Sequence, residues 1–138
     1  YVHLVFNETY SVLKNAEAAV INSGTASLEA ALIGTPQVVG WTSTKLTAFV
    51  ARKILKVQNH IKFISLGNLI VDRLVFKEFY MEDFTVENIT DEILHILNDN
   101  SYRAGMIEGY NEIRSRLGSS GASGKIAEKM IGLITARN

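Results

Sequence analysis

The run from Ala18 to Trp41 limits the possible folds more than any other part of the chain. Ala18-Ala19-Val20-Ile21 is continuously apolar, too short for a helix of its own, and ends at Asn22-Ser23-Gly24; that pattern suits a buried parallel strand leaving a sheet at its carboxyl end. Thr25 to Ile33 then carries strong helix formers and is closed by Gly34, with Pro36 just beyond. Gln37 to Trp41 is again short, apolar and β-branched. Strand, helix and strand within so few residues predict a parallel βαβ unit.

The rest extends that pattern. Val2 to Phe6 reads as a strand, and Tyr10 to Lys14 as a short helix with Val12 and Leu13 inward. Lys45 to Lys56 reads as a helix capped from Thr42-Ser43-Thr44, and Phe63 to Leu66 as the last clear strand. Leu69 to Tyr80 is mixed, and Met81-Glu82-Asp83 turns. Three helices close the chain. Thr85 to Leu97 has a stripe of Val86, Ile89, Ile93, Leu94 and Leu97; Ser101 to Leu117 places Met106, Ile107, Tyr110, Ile113 and Leu117 inward; and Ala122 to Arg137 has Ile126, Met130, Ile131 and Ile134 on one face. The fold class expected is α/β, a Rossmann-like parallel sheet flanked by helices with a helical C-terminal tail. With 138 residues, no Cys and no linker, residues 1–138 read as one domain without a disulfide or metal–thiolate framework. The first residue is Tyr, and the chain opens directly in a strand-like run, so an excised domain is expected.

Fourteen basic and fourteen acidic residues cancel, which argues against general nucleic-acid binding, yet the charges are segregated. No acid lies between Glu29 and Asp72, a window holding Lys45, Arg52, Lys53, Lys56 and Lys62, whereas Glu82 to Asp99 carries six acids and no Lys or Arg. One surface therefore expects an anion. The basic window reads either as the solvated face of a surface helix or as a headgroup or phosphate surface. No apolar run is long enough to span a membrane.

The best candidate site is Asn22-Ser23-Gly24-Thr25. At a helix start the free N–H groups and the dipole favour an anion, Gly24 admits close approach, and the Ser23 and Thr25 hydroxyls can add donors. Ser23 as a plain N-cap and Gly24 as a turn residue is the competing reading. The loop is neither a Walker A nor a GxGxxG fingerprint, so ATP and NAD find no support. Glu29 stands among small and apolar residues, either solvated or placed to accept ribose hydroxyls. Asn68, after Ser65-Leu66-Gly67, offers a donor and an acceptor to a base or sugar, or is only a turn residue. His3, His60 and His95 show no metal-ligand spacing and read as structural or surface residues. The chain holds no complete catalytic set.

AEAAVINSGTASLEAALIGTPQVVGW, from Ala16 to Trp41, resembles the donor-site segment of the bacterial lipid-A-disaccharide synthases, A-x-A-x-x-x-S-G-T-A-T-L-E-x-A-L-x-x-x-P-M-V-V-x-Y. Ile64 to Ile70 is similar to the family's V-S-L-P-N-L-L, and Val75 to Tyr80 to its V-K/P-E-L-L. The resemblance implies the C-terminal, nucleotide-sugar-binding half of a GT-B glycosyltransferase, whose N-terminal domain would supply the acceptor site and the general base. Its substrates would be UDP-2,3-diacylglucosamine and 2,3-diacylglucosamine 1-phosphate, joined without a required metal or cofactor at the cytoplasmic face of the inner membrane. By the same resemblance Ser23, Gly24 and Thr25 would hold the diphosphate, Glu29 the nucleoside, and Asn68 would line the donor pocket; Glu78 matches a family position. The catalytic residue is unknown from this chain.

Departures from the pattern are Gly67 for Pro, which is expected to loosen the loop, Gln37 for Met, Thr42 for Arg and Met81 for Gln. Lys45 could replace the phosphate contact of that missing Arg. Two other readings stay open: another GT-B enzyme of UDP-N-acetylglucosamine (the peptidoglycan glucosaminyltransferase or a 2-epimerase), and a non-catalytic anion-binding module. Peripheral membrane contact and a homodimer through Ala122 to Arg137 are further expectations.

Overall fold

The computed structural model describes residues 1–22, 24–42, 62–118 and 121–135. Helix α1 (Thr9–Asn15) leads to strand β1 (Ala19–Ile21), helix α2 (Gly24–Ile33) and strand β2 (Gln37–Trp41). Helix α3 (Leu66–Val71) precedes strand β3 (Glu78–Tyr80), a single 3-10 turn (Met81–Asp83) and helices α4 (Val86–Asn98), α5 (Asn100–Leu117) and α6 (Ala122–Thr135). The three strands form one parallel sheet in the order β1-β2-β3. With helices flanking that sheet, the fold is Rossmann-like α/β, as the βαβ pattern predicts.

The core lies between β2 and the helices α2, α3, α4 and α5. Ala31, Val39, Val71, Val75, Phe76, Ile96, Met106, Tyr110 and Ile113 form its buried cluster. Phe76 and Tyr110 meet edge to face with centroids 6.1 Å apart. The Tyr110 hydroxyl donates to the Thr35 carbonyl at 3.0 Å, and burial raises its pKa above the ordinary phenol value. Gln37, where the family pattern has Met, is fully buried, and its Nε2 donates to the Ser27 carbonyl at 2.8 Å, tying α2 to β2.

Several expectations need correction. Val2 to Phe6 is not a strand: it is exposed along its length and pairs with no described strand, since β propensity is realised only where a sheet edge and a covering layer are offered. β1 is an edge strand with Val20 half-exposed, not a buried one. In α1 Leu13 is buried but Val12 is exposed. Phe63 to Leu66 forms no strand either, because the N–H groups of Ile64 and Ser65 bond to the Glu78 carboxylate and not to a neighbouring strand. The third strand lies instead at Glu78–Tyr80, inside the stretch that reads as mixed.

The inward face of α4 is rotated from the apolar stripe. Ile96 and Glu92 are buried while Val86, Leu94 and Leu97 are exposed. Glu92 can be inside because Lys77 Nζ lies 2.9 Å from its Oε2 and the Tyr102 hydroxyl donates to its Oε1 at 2.5 Å. Desolvation, then the Glu92 carboxylate, pushes the Tyr102 phenol well above its usual range. In α5 Met106, Tyr110 and Ile113 point inward as expected, whereas Leu117 is exposed. The apolar face of α6, with Ile126, Met130, Ile131 and Ile134, is exposed. The helix read over Lys45 to Lys56 lies outside the described residues, and no described helix is long and apolar enough to cross a membrane.

Candidate functional site

The register of the sheet sets the site. Ile21 is level with Val39, and Val39 is level with Glu78. β1 therefore ends where β3 begins, and the chain passes from Ile21 through Asn22 into α2 at the carboxyl edge, the side on which open α/β sheets bind ligands. α2 spans ten residues from Gly24, so its first N–H groups face that edge without intrahelical partners. Ser23 lies outside the described residues. Thr25 is exposed, and Glu29, four residues on and half-buried, shares its face of α2, opposite the buried Ser27, Ala30 and Ala31. Ser27 donates from Oγ to the Gly24 carbonyl at 2.6 Å, so the buried side of the first turn is tied down while its outer side keeps Thr25 and Glu29.

A second group of residues meets this helix start from the side. Glu78 accepts from the Ile64 N–H at 2.7 Å through Oε2. Its Oε1 accepts from the Ser65 N–H at 3.0 Å, from the Asn68 amide at 2.7 Å and from the Ser65 hydroxyl. Asn68 is fully buried, and its Nδ2 also donates to the Phe76 carbonyl at 2.9 Å, while its Oδ1 accepts from the N–H groups of Val75 at 2.8 Å and Phe76 at 3.4 Å. The amide is thus saturated by protein groups. The segment it holds abuts α2, for a methyl on Gly24 would stand 3.9 Å from the Ile64 carbonyl oxygen.

Of the six residues singled out in the sequence, five are described. Gly24, Thr25 and Glu29 share one helix start; Asn68 and Glu78 bond to each other and brace the neighbouring segment. Ser65 completes that brace and is missed by sequence reasoning, although its place ahead of Leu66-Gly67-Asn68 is the signal for a helix N-terminal residue. Gly67 does not loosen the loop: it is buried in α3, and a methyl there would stand 2.8 Å from the Phe76 ring, so glycine serves close packing.

The basic window is seen only at Lys62, which pairs with Asp72 at 3.0 Å with both side chains exposed; Lys45, Arg52, Lys53, Lys56 and His60 lie outside the described residues. His95 stacks on Tyr102 with centroids 3.9 Å apart and faces Asp99 at 3.4 Å, a structural placement. Among the described residues no cluster of His, Cys, Asp or Glu has the grouping to hold a metal ion.

Residues 1–127 match the model of the lipid-A-disaccharide synthetase family. The chain belongs to that family. A lipid-A-disaccharide synthase of Acidobacterium capsulatum is 34% identical over 132 residues, which is 92% of this chain and 32% of that protein. The corresponding enzyme of Prochlorococcus marinus is 35% identical over 118 residues, 86% of this chain and 30% of its own length. That of Myxococcus xanthus is 37% identical over 131 residues, 95% of this chain and 33% of its own length. The chain therefore spans about a third of the length of the curated relatives it matches. The loop before Gly24 and the brace around Glu78 both fall inside the matched residues.

Proposed function

We propose that residues 1–138 form the domain that binds the nucleotide sugar in a lipid-A-disaccharide synthase, with the diphosphate of UDP-2,3-diacylglucosamine held at residues 23–25. The observation that carries this reading is the entry of β1 into α2 at the carboxyl edge of the sheet, with Thr25 and Glu29 on its free face. Backbone N–H groups at a helix start are fixed before the ligand arrives. As the glycosidic bond to UDP breaks, negative charge grows on the leaving diphosphate, and preorganised donors stabilise that charge without a cation. Glu29, on the same face one turn along, accepts from the ribose hydroxyls. Asn68 and Glu78 act one step back, holding the Ile64–Ser65 segment against the helix start.

The acceptor, 2,3-diacylglucosamine 1-phosphate, and the base that deprotonates its 6-hydroxyl belong to the N-terminal part of the relatives' length. This chain by itself binds and does not turn over. The full enzyme works at the inner face of the bacterial inner membrane as a peripheral protein, where an acylated donor and acceptor are presented. Calorimetric titration of the chain with UDP tests the assignment. Saturable binding that is lost in both Gly24→Val and Glu29→Ala, with circular dichroism unchanged, is the expected result. Equal affinity in wild type and both variants would sink it.

A further inference from the structure

The sheet does not end evenly. β1 stops at Ile21, level with Val39 and Glu78, but β2 and β3 continue for two more residues, to the paired Trp41 and Tyr80. At roughly 3.3 Å per residue these two side chains stand about 6.5 Å beyond the end of β1. By strand alternation Trp41 and Tyr80 share the face of Val39 and Glu78, the face on which Glu78 holds Ile64–Ser65 against Gly24. They form a step whose floor is the helix start and whose riser is aromatic.

The riser is fixed from behind. Trp41 and Tyr80 meet edge to face, centroids 6.2 Å apart at 71°. On the opposite face Phe84 lies so close over Gly40 that a methyl there would sit within 1.8 Å of its ring. β2 is therefore clamped beside Trp41, while Trp41 itself is 47% exposed. A large aromatic surface left half-open at the ligand edge of a sheet, on a backbone packed against Phe84, is suited to a flat ring face.

Resting on the phosphate site proposed above, we infer that Trp41, braced by Tyr80, packs against the ring carried by those phosphates and so sets specificity for a sugar nucleotide over a bare diphosphate. The shared chemistry is a ring with one apolar face, which the pyrimidine and the hexose both present. The chain holds a single tryptophan, so its emission reports on this position alone.

The test titrates the chain with pyrophosphate, UDP and UDP-N-acetylglucosamine, reading heat and tryptophan emission together. Pyrophosphate is expected to give heat without an emission change. UDP should shift emission over the same concentration range as the heat if the pyrimidine is the ring; a shift seen only with UDP-N-acetylglucosamine assigns the hexose. Trp41→Ala should weaken the ring-bearing ligand by roughly fivefold to a hundredfold, the range for stacking on an aromatic side chain, and leave pyrophosphate unchanged, with Trp41→Phe recovering most of the loss. Were Trp41→Ala not to fold, the wild-type emission would still decide. Both nucleotides binding with emission unmoved would overturn this inference and leave the phosphate site standing. No heat from any of the three would remove the phosphate site, and this inference with it.

Discussion

Two groups of polar residues lie side by side at the carboxyl edge of the sheet, and they use their hydrogen-bonding capacity in opposite ways. Asn68 and Glu78 direct theirs inward: every polar atom of the Asn68 amide and both oxygens of Glu78 are bonded to protein groups. Thr25 and Glu29 keep theirs facing outward from the first turns of α2. In the sequence Thr25 and Asn68 look alike, each a polar residue directly after a glycine. The structure separates the four residues into a frame and an outward-facing pair, the binding face proposed above, and a residue in the frame should be read out as stability before it is read out as affinity.

Asn68→Ala puts the frame under the largest strain. It strands the N–H groups of Val75 and Phe76 and the Phe76 carbonyl in the core, at about 1–3 kcal/mol for each unsatisfied group that water cannot reach. A loss of about 3–4 kcal/mol is expected, a large share of a typical domain's stability, and a urea midpoint measures it. A midpoint within error of wild type would break the distinction between the two groups. Glu78→Gln should cost less, about 1–2 kcal/mol, because the amide oxygen replaces one carboxylate oxygen while the NH2 group faces donors it cannot pair with. If Glu78→Gln instead left the urea midpoint alone and abolished UDP binding, Glu78 would belong to the binding face.

The distinction also explains what could be read from the sequence. The β1–α2–β2 unit was legible because its signals are local: an apolar run, a loop with Gly24, helix formers, then Gly34 and Pro36. The third strand was not, because what places it is its parallel pairing with β2, a contact distant in sequence that no local periodicity records. α4 was found but its inward face was misjudged for a related reason. Hydrophobic patterning counts Glu92 as outside, whereas its pairing with Lys77 and Tyr102 lets it be buried and turns the helix. For the proposed site, the helix start at Gly24 was legible; which neighbours would brace it and which would face solvent depended on long-range contacts.

The smallest effect on stability should come from the binding face, and there the sign of the comparison reverses. A methyl at Gly24 has room, since its nearest non-neighbouring heavy atom, the Ile64 carbonyl oxygen, would be 3.9 Å away. Gly24→Ala therefore leaves the urea midpoint within about 0.5 kcal/mol of wild type. The methyl occupies the space between the helix start and the Ile64 carbonyl, however, and a diphosphate drawn close to the first N–H groups of α2 is pushed outward. Hydrogen bonds to a charged group contribute about 1.5–3 kcal/mol each, so weakening one lowers UDP affinity by about tenfold or more. Glu29→Ala should likewise fold normally, and it should lose saturable UDP binding. A variant of Gly24 that unfolds the chain would show that the helix start belongs to the frame after all; one that folds and binds as wild type does would remove it from the binding face, and the outward-facing hydroxyl of Thr25 would then have to be explained by solvation alone.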